Sequence, residues 1–174
     1  EVLEPVLCTA DFTKVGVMLS FEYMNFYWSF GLRTFNFWDC AMVEKCIWAG
    51  AHSLKDYSFF SMQEMMERYF QVHIDKQYQE SFTLEADLTD DQIMYGALDT
   101  RFPFAIKRFQ ELIISGKTPK SLSHLDPSIF GDDLREAAKI ENEAIGAFED
   151  MHIHGERMDC DKWMARVNKQ KQEY

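Results

Sequence analysis

Apolar and polar positions divide the chain into short strand-like runs and longer helical ones. "KVGVML" (14–19) is a short, nearly continuous apolar run suited to a buried strand. "SFEYMNFYWSFGL" (20–32) then changes to helical spacing and stops at Gly31. The unit recurs in "RTFNFWDCAMVEKCIWAGA", where the β-prone "TFNF" precedes a helix expected over 39–50, with Gly50 as its C-terminal stop. A helix over 61–70 opens with Ser61 and Glu64 at capping-box spacing. After a polar stretch at 75–87, a longer helix starts at Thr89 and carries Asp90, Asp91 and Gln92 in its first turn, where carboxylates suit the macrodipole. It runs to about Ile114, with a kink expected at Pro103. The segment 117–133 holds Pro119 and Pro127 and reads as an irregular connection, which places a boundary near 117. Beyond it the spacing predicts a helix to about Met151, a turn at Gly155 and a second helix opened by Asp159 or Asp161. The opening "EVLEPVL" has the pattern of the middle of an amphipathic helix, so a preceding segment is expected.

At 174 residues and 47% hydrophobic, the chain is long enough for one well-filled core, and no apolar run approaches the roughly 18 residues of a membrane span. A soluble protein with no membrane association is the expectation. A net charge of −11 argues against holding duplex nucleic acid by broad phosphate neutralisation, while local acidity can serve metal ions. Cys8, Cys40, Cys46 and Cys160 show neither CxxC nor zinc spacing, which points to a reducing compartment. The five histidines show no ligand-like partners; His152 and His154 are read as surface residues astride a turn. The aromatic clusters "FYWSF" and "FNFWD" are read as packing.

The chemistry concentrates in "LTDDQIMYGALDT" (88–100). Residues i and i+4 of a helix are neighbours, with Cβ atoms roughly 5–6 Å apart, so Tyr95 and Asp99 can address one small object. A lone YxxxD is more often a core tyrosine beside a solvated carboxylate. Here Leu88, Gln92, Tyr95 and Asp99 together form LxxxQxxYxxxD, which resembles the third motif of the DEDDy 3′-5′ exonucleases. Gly96 and Ala97 fit as well, since that family packs this face closely. The junction "VGVMLSFEY" resembles the family's second motif, GxNLxFD: Gly16, Leu19 and Phe21 match. Met18 stands where the family usually has asparagine, and Glu22 where it has aspartate. Asp39 opening a helix and "FSMQEMMERYF" extend the resemblance over most of 1–115. "FEDMHIHGERMDCDKW" resembles the passage from exonuclease to polymerase domain in bacterial-type family A DNA polymerases. The family's first motif, DxE on the first strand, has no counterpart, because Glu1, Glu4 and Asp11 lie in the wrong local structure. The opening strands are expected upstream, leaving two of four carboxylates in this chain.

The resemblance implies an α/β, ribonuclease H-like 3′-5′ exonuclease fold, truncated at the N-terminus and therefore mostly helical. Residues 1–116 would form the incomplete exonuclease domain, and 117–174 the connection and helices leading into the polymerase thumb. The implied activity is proofreading by a DNA-directed DNA polymerase: nucleotides are removed from single-stranded or mismatched 3′ ends by two-metal-ion hydrolysis. Two ions, Mg²⁺ or Mn²⁺, roughly 3.5–4 Å apart, would clamp the scissile phosphate. Asp99 would ligate the ion nearer the water. Glu22 would reach the other directly or through water, on an arm longer than aspartate's by about 1.5 Å. Tyr95 would orient the water, since a phenol of pKa about 10 is a poor base. Phe21 and Met18 would meet the DNA, Phe21 by stacking, while the residue pattern by itself reads Phe21 as core. Implied partners are a single-stranded 3′ end or primer-template and the remaining polymerase domains, in bacterial or phage-type cytoplasm. Alone, the chain is expected to be inactive. Two other readings stay open: a degenerate, non-catalytic scaffold or DNA-positioning module, favoured by Met18 and Glu22, and a plain helical interaction domain.

Overall fold

A computed structural model of the chain describes residues 2–74, 81–82, 87–117, 120, 123–125, 131–155 and 159–173. Position 1, most of the polar stretch 75–87 and the prolines at 119 and 127 lie outside the described residues. The first helix, α1 (Glu4–Leu7), is a single turn that buries nothing. The amphipathic helix expected at the start is therefore reduced to one turn with Pro5 at its head.

Strand β1 (Lys14–Gly16), helix α2 (Leu19–Phe30) and strand β2 (Phe37–Asp39) form a βαβ unit. The strands pair in parallel, with Lys14 opposite Phe37, Val15 opposite Trp38 and Gly16 opposite Asp39. A parallel pair needs a crossover, and α2 provides it. Gly31, at φ 68°, takes the left-handed position that stops α2, and the Leu32 N–H returns to the Phe26 carbonyl at 3.2 Å. The second strand sits later than "TFNF" suggested. Asn36 is left-handed at φ 59°, so extended backbone begins only at Phe37. The aromatic clusters also differ from expectation: α2 buries only Leu19 and Tyr23, and Trp28 remains 65% exposed. Within the described chain only one stripe of α2 meets a packing partner, on the side facing the later helices.

The remaining helices are α3 (Cys40–Ile47), α4 (Met62–Phe70), α5 (Asp90–Ile114), α6 (Arg135–His154) and α7 (Cys160–Glu173). α3 is shorter than expected because Trp48 already caps it; Gly50, at φ 84°, serves the following turn. Val43 and Ile47 of α3, Met65 and Tyr69 of α4, Ile106 and Ile113 of α5 and Ala138 of α6 share one core. α6 packs on α2, α3 and β2, although it lies beyond position 117. His152 and His154 occupy its last turn rather than straddling a turn. Among the described residues no helix is long and apolar enough to cross a membrane.

One buried carboxylate aligns α3, α4 and α5. Glu44 accepts from Arg68 Nη1 at 2.7 Å, Trp48 Nε1 at 2.8 Å, Tyr69 Oη at 2.5 Å and Gln110 Nε2 at 2.8 Å. Gln110 Oε1 in turn accepts from Trp38 Nε1 of β2 at 3.1 Å. A buried charge is tolerable only when paired and hydrogen-bonded, and both conditions hold here. Arg68→Met removes the paired cation, 10% exposed, and leaves Glu44 charged in the core. We expect the urea midpoint to fall by the equivalent of about 3–5 kcal/mol. A loss under about 1 kcal/mol, the scale of a surface ion pair, would show that Glu44 reaches water instead.

Candidate active site

The sharp corner between β1 and α2 is built around Asp39. Its side chain caps α3, accepting from Ala41 N at 2.8 Å and Met42 N at 3.4 Å. The same carboxylate crosses to the neighbouring strand end and accepts from Met18 N at 3.1 Å and Leu19 N at 2.7 Å. Burial pushes its pKa up, and the four backbone N–H groups pull it down. At the corner, a Cβ on Gly16 would come within 2.5 Å of Leu19 Cδ2, so a larger residue there would require the buried Leu19 side chain to shift. Met18 is left-handed at φ 63°. Asparagine visits that region far more readily than methionine, so the family's usual residue here suits the backbone better. Glu22 projects from the first turn of α2 that this corner launches.

The second half of the site comes from α5. Thr89 and Gln92 form both halves of a capping box, which starts the helix about one and a half turns before Tyr95. Tyr95 and Asp99 then share one face and, with Glu22 from the other side, line a cleft of about 580 Å³ walled by Gly16, Met62 and Phe104. Asp99 Oδ1 is buried without a hydrogen-bond partner; among the described residues only Thr34 Oγ1 is in the same condition. Desolvation raises the pKa of Asp99, and it raises that of Glu22 with a smaller contribution from the charge of Asp39. Tyr95 is shifted upward by burial and then by Asp99, so its hydroxyl keeps its proton at neutral pH. Its ring leans on Phe82 at 6.3 Å. Pro103 lies inside α5 and has no N–H to return to the Asp99 carbonyl four residues earlier.

The structure thus brings Glu22, Tyr95 and Asp99 to one cleft. Phe21 and Met18 lie outside its lining, at 71% and 47% exposed, so Phe21 is not a core residue. The close packing expected at Gly96 and Ala97 is not found: a Cβ on Gly96 would meet nothing within 4 Å, and Ala97 is exposed. The bridging role of Asp39 was not read from the sequence, where only its place at a helix start was visible. Asn142, whose Oδ1 accepts from Asp39 N at 2.6 Å, carried no signal at all. A larger cavity, about 910 Å³, opens between 33–38 and α6 and holds none of the motif side chains. Its cations are already paired, as Arg33 is with Asp150 at 3.3 Å.

An unpartnered, desolvated carboxylate oxygen with a second carboxylate and a phenol nearby is an all-oxygen donor set of the kind hard divalent cations take. These residues fit part of a Mg²⁺ or Mn²⁺ site. Among the described residues, no three His, Cys, Asp or Glu side chains converge to hold a metal.

The family model described as 3′-5′ exonuclease, from the DNA polymerase A group, matches residues 1–113. This stretch contains all three cleft residues. No curated protein matches the chain.

The raised pKa of Asp99 has a stability consequence. A carboxyl whose folded pKa exceeds its unfolded one favours the fold while protonated, and that contribution is lost as pH rises through the raised value. Asp99→Asn has no charge to desolvate. In chelator at pH 7 we expect it to melt above the wild type, with the gap closing as pH falls toward the ordinary aspartate value of about 3.9. Coincident melting curves at pH 7 would show that the carboxylate is not desolvated.

Proposed function

The chain belongs to the 3′-5′ exonuclease domain family of the family A DNA polymerases, and we propose that it is the proofreading domain of such a polymerase, removing nucleotides from single-stranded or mismatched 3′ ends of DNA. The observation that carries this reading is the buried, unpartnered Oδ1 of Asp99, one helical turn from Tyr95 and in one cleft with Glu22. In this reading residues 1–116 form the exonuclease portion, and 117–174 lead toward the polymerase domain. Its partners are a primer-template or free 3′ end and the polymerase domains. The motif resemblance suits a polymerase in cytoplasm of bacterial or phage type.

Asp99 and Glu22 would hold Mg²⁺ or Mn²⁺ together with carboxylates contributed from elsewhere. The bound cation supplies positive charge at the oxygens of the phosphoryl transfer. Tyr95 keeps its hydroxyl proton and orients the attacking water through a hydrogen bond, since its raised pKa makes it a poor base. Asp99 is held by α5 in a desolvated position, where an electrostatic contact is worth more than in water. Glu22, longer than aspartate and exposed, reaches the cleft from α2.

A second reading, a non-catalytic scaffold or DNA-positioning module, is favoured by the left-handed Met18 and by glutamate at position 22. Excision from a mismatched primer end, in Mg²⁺ and in Mn²⁺, separates the two in a polypeptide that also carries the polymerase domain. We expect Asp99→Ala to abolish trimming while nucleotide addition continues, and Tyr95→Phe to slow trimming less, by up to about tenfold, the order of one lost hydrogen bond. Equal, measurable trimming by wild type and Asp99→Ala removes Asp99 from catalysis; trimming at background in the wild type favours the scaffold.

The 174-residue chain by itself brings only two carboxylates to the cleft among the described residues. We expect it to release mononucleotides from single-stranded DNA negligibly. Robust Mg²⁺-dependent release would mean that the site lies elsewhere in the chain or needs fewer ligands.

A further inference from the structure

Glu22 is exposed and stands on the first turn of α2, so its reach into the cleft depends on how that helix is rotated about its own axis. Two polar ties fix the rotation, and both end on α6. At the N-terminal end, Met18 and Leu19 are held by Asp39, whose own N–H donates to Asn142 Oδ1 at 2.6 Å. The Asn142 amide is locked in that orientation because its Nδ2 donates to the Ala138 carbonyl at 2.7 Å. One residue after Glu22, Tyr23 is 2% exposed and donates its hydroxyl to Asp150 Oδ1 at 2.9 Å. Asp150 is steadied from its other oxygen by Arg33 at 3.3 Å.

Buried Leu19 and Tyr23 supply packing beside these polar ties. The cavity of about 910 Å³ lies between α6 and the segment 33–38 and reaches Tyr23, Asn142 and Asp150, so this interface is only partly filled. Successive residues on a helix are turned by about 100°, so a rotation of the α2 backbone at Tyr23 turns Glu22 by the same angle. Asn142 and Asp150 both lie beyond the stretch 1–113 that matches the exonuclease family.

We propose that Asn142 and Asp150 of α6 are positioning residues for Glu22, so that the metal affinity of the cleft is set by a helix outside the exonuclease match. The proposal rests on reading Glu22 and Asp99 as a metal-holding pair. It follows that any partner or domain that shifts α6 along α2 changes cation binding without touching the cleft.

The test is Mn²⁺ binding to the 174-residue chain, followed by the electron paramagnetic resonance signal of the free ion, with melting curves taken alongside. Tyr23→Phe keeps the ring and deletes only the hydroxyl, and Asn142→Ala deletes the acceptor for Asp39 N. Each is expected to weaken Mn²⁺ binding by roughly tenfold, the usual order for a group supporting a metal ligand. Asp150→Ala deletes the acceptor for the Tyr23 hydroxyl and should weaken binding as Tyr23→Phe does. Asp99→Ala is the control and should lose binding. If Asp99→Ala loses Mn²⁺ but Tyr23→Phe and Asn142→Ala retain wild-type affinity at lowered melting temperature, these residues only stabilise the fold and the proposal is overturned. If the wild-type chain does not bind Mn²⁺, or if Asp99→Ala binds it as the wild type does, the metal pair itself fails and the proposal falls with it. Should Asn142→Ala not fold, the isosteric Tyr23→Phe decides.

Discussion

A single carboxylate, Asp39, joins the starts of two helices. It accepts from the first free N–H groups of α2 and α3, the positive ends of both helix dipoles, at the point where the two parallel strands stop side by side. Desolvating that group is costly, and the cost is offset because four donors converge on two oxygens. Its bonds to the Met18 and Leu19 N–H groups hold the left-handed corner from which α2 leaves the strand. Glu22 stands on the first turn of that helix. The site therefore depends on a residue that contributes nothing to the cleft lining.

Glu44 does for the opposite wall what Asp39 does for the corner. It joins α3 to α4 through Arg68 and Tyr69 and to α5 through Gln110, and burial together with the neighbouring Glu44 charge drives the Tyr69 phenol well above its ordinary pKa. Gln110 lies three turns beyond Asp99 on the same helix, so the polar core fixes the rotation of the segment that carries Tyr95 and Asp99. Both frame carboxylates are fully satisfied. Asp99 Oδ1 is not, and the contrast marks the cleft as the place where the fold leaves an electrostatic requirement open.

What could be read along the chain was whatever is settled by near neighbours. The stop at Gly31, the caps at Ser61 and Thr89, the extent of α5 and the i, i+4 pairing of Tyr95 with Asp99 all depend on contacts within a turn or two. Glu22 could be brought to the same site only through the motif resemblance, because nothing local relates α2 to α5. Features set by distant partners were missed. The start of β2 shifted because Asn36 turns left-handed, and the Asn142 to Asp39 bond spans 103 positions. Aromatic residues on α2 read as packing because composition registers their apolarity but not the narrowness of the stripe that meets α6.

Pro103 gives α5 a mechanical character. It divides the 25-residue helix into a part that carries the site and a part anchored in the core by Ile106, Gln110 and Ile113. Tyr95 stands eight residues from the proline, about 12 Å along the axis at 1.5 Å per residue. The site-bearing arm is a lever pivoted where the hydrogen-bond ladder is already interrupted, and a bend of about 5° there would move Tyr95 by about 1 Å, a displacement on the scale that spoils catalytic alignment. Sharpness of the site thus depends on the stiffness of this joint together with the packing of Tyr95 against the core.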